Sequence, residues 1–190
     1  MADFLPAFNI TMENEGGYAN NPNDSGGETW RGIARNYWPK WSGWPIVDQI
    51  VATNPPDLNQ ALFADASLNT MVEQFYQQNF WDTESLSDIN CQQTANQLFD
   101  IAVNMGNSTA GKILQEAINT LAANPVSVDG MVGPLTIQAA NSLNDEALYN
   151  AVCSLRKQKY ESIIAANPSQ AVFENSWFSR ITPWDAAADA

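Results

Sequence analysis

The chain has 190 residues, 45% of them hydrophobic and 11% aromatic, enough to bury an interior in one domain or in two small ones sharing a core. Its 8 basic and 21 acidic residues leave a net charge of −13. That field repels nucleic-acid phosphates, anionic lipid and teichoic acid, and so disfavours a polyanion-binding role. Histidine is absent, so neither a Ser-His-Asp or Cys-His nucleophile nor a His-rich zinc site can be assembled within the chain. Acid–base work at moderate pH then falls to carboxylates, Lys, Tyr or Cys.

Seven Trp, eight Phe and five Tyr argue against disorder, which goes with few aromatics. Cys91 and Cys153 lack a CxxC spacing, which leaves either one disulfide or two small buried thiols. The N-terminus MADFLPAFNITMENEGG has no basic n-region and no apolar h-region, so no conventional secretory signal is expected. No run of about 18 apolar residues predicts a membrane span. A target outside the cytoplasm would need another means of delivery.

Taken in chain order, Phe4, Leu5, Phe8 and Met12 recur at helical spacing and predict an amphipathic helix ending at Gly16-Gly17. Residues 18–33 are dense in Asn, Pro, Asp, Ser and Gly and predict a small β-hairpin or an irregular loop. Residues 37–56 hold four Pro and three Trp, which allows helix only around Val47 to Val51. Asp57 is placed to cap one long helix running to about Gln78, with Leu58, Ala61, Leu62, Leu68, Met71, Val72, Phe75 and Tyr76 in its apolar stripe. Further helices are predicted from about Cys91 to Asn104 and from Ser108 to about Ala122. Asp129-Gly130 with Gly133-Pro134 reads as a turn with Pro at the start of a short helix. Asn144 or Asp145 opens a last long helix to about Ala166, and Phe173, Trp177, Phe178 and Ile181 form an apolar face in the tail. The expected fold is mainly α, an α+β helical bundle with a small β-hairpin. The best domain boundary falls near 83–90, giving segments 1–85 and 90–184 packed into one globule.

Glu15 precedes Gly16-Gly17-Tyr18, and Asp24 follows nine positions later in the turn-rich loop. A chain reversal between them would bring both carboxylates to one cleft. Glycoside hydrolysis uses such a pair: one carboxylic acid protonates the leaving oxygen, while a second group stabilises the cation or prepares water. A Glu packed against apolar surface keeps its proton, whereas an Asp in a solvated loop stays ionised. By spacing alone a solvated helix-end charge explains Glu15 as well. Glu13 is a rival without the Gly-Gly hinge. An EF-hand reading of Asn21, Asn23 and Ser25 fails, because Gly32 stands where calcium needs a bidentate Glu.

The stretch ENEGGYANNPNDSGGETWRGIA resembles the signature of the glycoside hydrolase family 108 muramidases, which occur as phage endolysins and as secretion-associated lysozymes. The matching residues are Glu15, Gly16, Gly17, Tyr18, Asp24, Gly26, Gly27, Thr29, Gly32 and Ile33; Ser25 stands where the family usually has Pro. The resemblance implies a lysozyme-like fold with Glu15 as catalytic acid, and with Asp24 and Thr29 as its companions. The second half resembles the predicted peptidoglycan-binding domain of this family through Phe99, Asp100, Val103, Asn104, Gly106, Leu114-Gln115, Asp129-Gly130, Gly133-Pro134 and Thr136. The ending Trp177, Phe178 and Arg180 resembles the family's aromatic-Arg finish.

The resemblance implies hydrolysis of the β-1,4 bond from N-acetylmuramic acid to N-acetylglucosamine, with no cofactor and no metal. The partner would be bacterial peptidoglycan, not nucleic acid or a membrane interior. Such a protein is made in the cytoplasm and acts in the periplasm or at the wall, delivered through a holin pore or through a secretion system with an immunity protein. A non-catalytic wall-binding or secretion accessory protein and a lytic transglycosylase are the alternatives. Several side chains keep two readings. Tyr18 suits either a sugar face or the support of the hairpin, and Asn104 either an acetamido group or a helix C-cap. Trp38, Trp41 and Trp44 suit either a sugar groove or core packing, and Asp129-Gly130 either a turn or a ligand contact.

Overall fold

The computed structural model describes residues 1–21 and 25–188. These form two units, residues 9–78 and residues 1–8 with 79 onward, here the sheet unit and the helical unit. Helix α1 (Phe4–Met12) contributes to both. Mainly α with a minor β element, the architecture agrees with the fold class expected from sequence.

In the sheet unit α1 stops at Met12, and the backbone N–H of Asn14 and of Glu15 donate to the carbonyls of Thr11 and Met12. The helix therefore ends before Gly16-Gly17, and Glu15 sits in the tight turn that follows it. Strands β1 (Tyr18–Asn20), β2 (Glu28–Trp30) and β3 (Ile33–Ala34) form an antiparallel sheet in that order, so the expected hairpin carries a third strand. Trp30 pairs with Ile33, leaving Arg31-Gly32 as a two-residue loop. Their φ angles are +46° and +79°, the double left-handed conformation of turns whose twist matches the flanking strands. Gly32 adopts it freely, whereas Arg31 does so at a cost of about 1–2 kcal/mol.

Helices α2 (Trp44–Ala52), α3 (Leu58–Ala64) and α4 (Ala66–Tyr76) complete this unit. The single helix expected over 57–78 is broken at Asp65, whose carboxylate accepts from the Leu68 N–H at 2.7 Å. Asp57 caps α3 in the same way, accepting from the Gln60 N–H at 2.9 Å. An N-cap inside an apolar stripe ends one helix and starts another. Trp30, Ile33, Trp44, Val47, Leu62, Leu68, Val72 and Phe75 are buried. Trp41 lies edge-on to Trp44 at 5.2 Å, and Trp38 edge-on to Phe75 at 4.8 Å. The tryptophans of residues 37–56 thus take the packing role, with Trp38 partly exposed.

The helical unit is built on α5 (Gln92–Met105), α6 (Asn107–Leu121) and α8 (Asp145–Ala166), which pack on one another, with α7 (Pro134–Asn141) against α6. Gly106, with φ +88°, turns the chain between α5 and α6. It takes the N-cap place expected for Ser108. Asn144 caps α8 through the Ala147 N–H at 3.0 Å. Phe4 packs edge-on against Trp81 and Phe99, fixing the first turns of α1 to α5. A Cβ on Gly111 would come within 2.6 Å of the Gly130 carbonyl oxygen, so α6 and the 129–133 turn meet backbone to backbone. The Asp129 carboxylate accepts from the Met131 N–H at 2.9 Å and from Gln115 at 2.8 Å. Those two bonds hold its carboxyl below the usual range, and they give Asp129-Gly130 its turn. Cys91 and Cys153 are free thiols. A 3-10 segment (Pro168–Phe173) and α9 (Glu174–Phe178) form the tail. No helix among the described residues is long and apolar enough to cross a membrane.

Candidate active site

The sheet unit positions Glu15 by two close approaches. At Gly17 a Cβ would collide with the Asn59 side chain, whose Oδ1 accepts from the Tyr18 N–H at 2.8 Å. The bare glycine lets Asn59 of α3 hold the start of β1, and so fixes where the turn bearing Glu15 leaves the sheet. At Gly32 a Cβ would lie 2.7 Å from Glu15 Oε2 and 2.5 Å from the Tyr76 hydroxyl. Both oxygens therefore converge on the Cα of a left-handed glycine.

Tyr76 locks that arrangement. Its hydroxyl donates to the Arg31 carbonyl oxygen at 2.6 Å, joining the end of α4 to the β2–β3 turn. Burial first, then the neighbouring Glu15 carboxylate, push the Tyr76 phenol far above its ordinary value, so it keeps its proton and donates at every physiological pH. Burial lowers the Arg31 guanidinium, against the opposing pull of Tyr76 and Glu73. The described neighbours of Glu15 are thus a buried phenol and the Arg31-Gly32 turn.

The other expected residues fall as follows. Tyr18 donates its hydroxyl to Glu28 Oε1 at 2.8 Å, and burial followed by that hydrogen bond raises its phenol. Glu28 is also ion-paired to Arg35 at 2.9 Å, and Arg35 reaches Asp48 on α2. This Tyr18–Glu28–Arg35–Asp48 chain braces the sheet, so the polar end of Tyr18 is engaged within the sheet. Thr29 sits mid-strand on β2, paired with Ala19 and Ala34, and donates to the Gly27 carbonyl at 3.1 Å. Asp24 lies outside the described residues. Asn104 belongs to the helical unit and lies inside α5, one residue before its end. Gly106 takes the C-cap place, and the Asn104 Oδ1 accepts from the Tyr160 hydroxyl at 2.9 Å.

Two participants escaped the sequence reading. Tyr76 looked like one more member of an apolar stripe, and Arg31 like a loop residue. Only the Arg-Gly pair between two strands carried a signal, as a two-residue hairpin loop. Among the described residues no group of three or more His, Cys, Asp or Glu could hold a metal ion.

Comparison with known proteins adds independent findings. Residues 8–106 match the family model described as glycosyl hydrolase 108, and residues 109–182 match the one described as a predicted peptidoglycan domain. The solved structure of Brucella abortus SagA is similar over 94% of this chain and 88% of that one, with TM-score 0.63 and 22% identity. At that identity the likeness is one of fold. No curated protein matches the chain.

Proposed function

Because the chain belongs to the glycosyl hydrolase 108 family and carries a peptidoglycan-type second domain, it is a lysozyme-like peptidoglycan hydrolase, and we propose that it is an N-acetylmuramidase. The bond cleaved is the β-1,4 link between N-acetylmuramic acid and N-acetylglucosamine. The observation that supports this reading best is the placement of Glu15, its carboxylate oxygen held against Gly32 beside a phenol that stays protonated.

In this reading the Glu15 carboxyl hands its proton to the bridging glycosidic oxygen as the bond to C1 lengthens. The sugar left behind gains oxocarbenium character. Asp24 is the proposed second carboxylate, stabilising that charge or preparing water. Thr29 is its proposed companion on β2, and Tyr18 and Asn104 are the proposed substrate contacts. Residues 1–85 would carry the chemistry and residues 90–184 hold the wall polymer. The site of action is the periplasm or the wall, reached through a holin or a secretion system.

Glu15→Gln keeps the shape of the side chain and removes the proton. Turnover of purified sacculi should fall by about 10²–10⁴-fold with an unchanged circular-dichroism spectrum. Mass spectrometry of the wild-type digest should show muropeptides with new reducing ends. Undiminished lysis by the variant would remove Glu15 from the mechanism. Anhydromuramyl products would mean a lytic transglycosylase, and sacculus binding without any product would mean an accessory protein.

A further inference from the structure

The helical unit contains a cavity of about 280 Å³ outside the proposed catalytic residues. Its walls include Asn104, Thr109, Lys159, Tyr160, Gln170 and Trp177, with no carboxylate among them. In a chain with 21 acidic residues and a net charge of −13, a wall bearing one lysine and no acid is a local reversal of sign. None of the described residues forms an ion pair with the Lys159 ammonium.

One buried network sets the chemistry of this cavity. Arg156, fully buried, ion-pairs with Asp100 and donates to Gln97 at 2.7 Å and to the Tyr160 hydroxyl at 2.9 Å. Arg180 holds the second oxygen of Asp100 at 3.1 Å. With the guanidinium donating to it, the Tyr160 hydroxyl must spend its own proton elsewhere, and it donates to Asn104 Oδ1 at 2.9 Å. That bond decides the orientation of the Asn104 amide: oxygen toward Tyr160, and the NH₂ away from it with no acceptor among the described residues. A buried ion pair contributes little net stability by itself. Here it aims one amide donor.

The aromatic wall narrows the choice of ligand. Trp177 stacks on Tyr160 at 5.0 Å and on Phe173 at 5.8 Å, both near parallel. Indole surface that a sugar would stack on is thus already engaged by two protein rings. The donors on offer are the Asn104 amide, the Lys159 ammonium and the indole N–H, with the Thr109 hydroxyl and the Gln170 amide beside them. They call for an acceptor-rich anion small enough for the cavity.

We propose that this cavity binds the carboxylate end of a short peptide, with Lys159 as its counter-charge and Asn104 as its orienting donor. The proposal rests on the peptidoglycan reading only for the source of the peptide, the stem peptides of the wall. Charge-assisted bonds to a carboxylate are about twice as strong as neutral ones, which makes the free acid the discriminating feature.

The test is calorimetric titration of the full chain with N-acetyl-D-alanyl-D-alanine, its C-terminal amide, acetate and chitotriose. The acid should bind with Kd of about 1 mM or tighter, and the amide at least about tenfold more weakly. Lys159→Met, on an exposed position, and Asn104→Ala should each weaken the acid by about fivefold or more, while Glu15→Gln should bind it like the wild type. The proposal is overturned if acid and amide bind alike, if acetate binds as tightly as the dipeptide, if chitotriose displaces the dipeptide, or if no heat appears up to about 10 mM. Loss of the muramidase reading would show separately, as Glu15→Gln retaining full lysis while dipeptide binding persists.

Discussion

Gly32→Ala tests the proposed site without touching an ionisable group. Two costs can be worked out from the structure. Alanine at φ +79° pays the left-handed penalty of about 1–2 kcal/mol. Its methyl would also sit 2.5 Å from the Tyr76 hydroxyl and 2.7 Å from Glu15 Oε2, so at least one neighbour must move. Tyr76 is buried and bound at 2.6 Å to Arg31, whereas Glu15 lies half-exposed in a turn, so Glu15 yields. A displacement near 1 Å of a reacting group costs about 10²-fold in rate. The expected result is therefore uneven: a loss of about 2 kcal/mol in stability and about 100-fold in turnover. Urea unfolding followed by tryptophan fluorescence reads the first, and reducing-end release from sacculi the second. An alanine variant that turns over like the wild type would refute the argument that Gly32 and Glu15 share one geometry.

Other outcomes follow from the same structure. Tyr76→Phe leaves the Arg31 carbonyl without its donor, and should cost about 1–3 kcal/mol in a denaturant titration together with a measurable fall in turnover. Arg156→Leu takes from the buried Asp100 carboxylate one of its two guanidinium partners, Arg180 keeping the other oxygen, and should cost about 1–3 kcal/mol, read as a lowered Tm, whereas Lys157→Leu on the exposed Glu161 pair should shift Tm little. Glu84 is buried, its Oε2 has no hydrogen-bond partner among the described residues, and burial raises its carboxyl from 4.5 to about 7. The fold favours its protonated form, so its contribution is fully present below pH 4.5 and is lost as pH rises through 7. At about 1.4 kcal/mol per pH unit that rise corresponds to at most about 3.5 kcal/mol. Glu84→Gln should thus gain Tm relative to wild type at pH 8 and not at pH 4; parallel Tm curves would contradict the assignment.

Sequence alone exposed much of this molecule because its signals are local. The caps Asp57 and Asn144, the helix-opening Pro134 and the Asp129-Gly130 turn act over three or four positions, and periodicity finds them. The Glu15 box and the Gly-Gly-x-Thr stretch likewise lie within fifteen residues of each other. The break at Asp65 was missed because its neighbours on both sides continue one apolar stripe, and the side-chain cap that splits the helix has no periodic signature. Tyr76 and Arg31 meet across 45 positions, and Arg156 and Asp100 across 56. Such pairings depend on how elements dock, which composition and spacing do not encode. Asn104 is no helix cap, that place going to Gly106, and the Tyr160 hydroxyl that holds its oxygen comes from 56 positions away.

The bond from Tyr76 to Arg31 has a further consequence for the order in which properties fail on heating. It closes a loop of 45 positions, an expensive ring to form and one of the first to open when a segment loosens. The helices α5, α6 and α8 belong to the other unit and need not melt with it. Warming should therefore silence catalysis while far-ultraviolet ellipticity is still intact, leaving a well-folded protein that grips the wall and no longer cuts it.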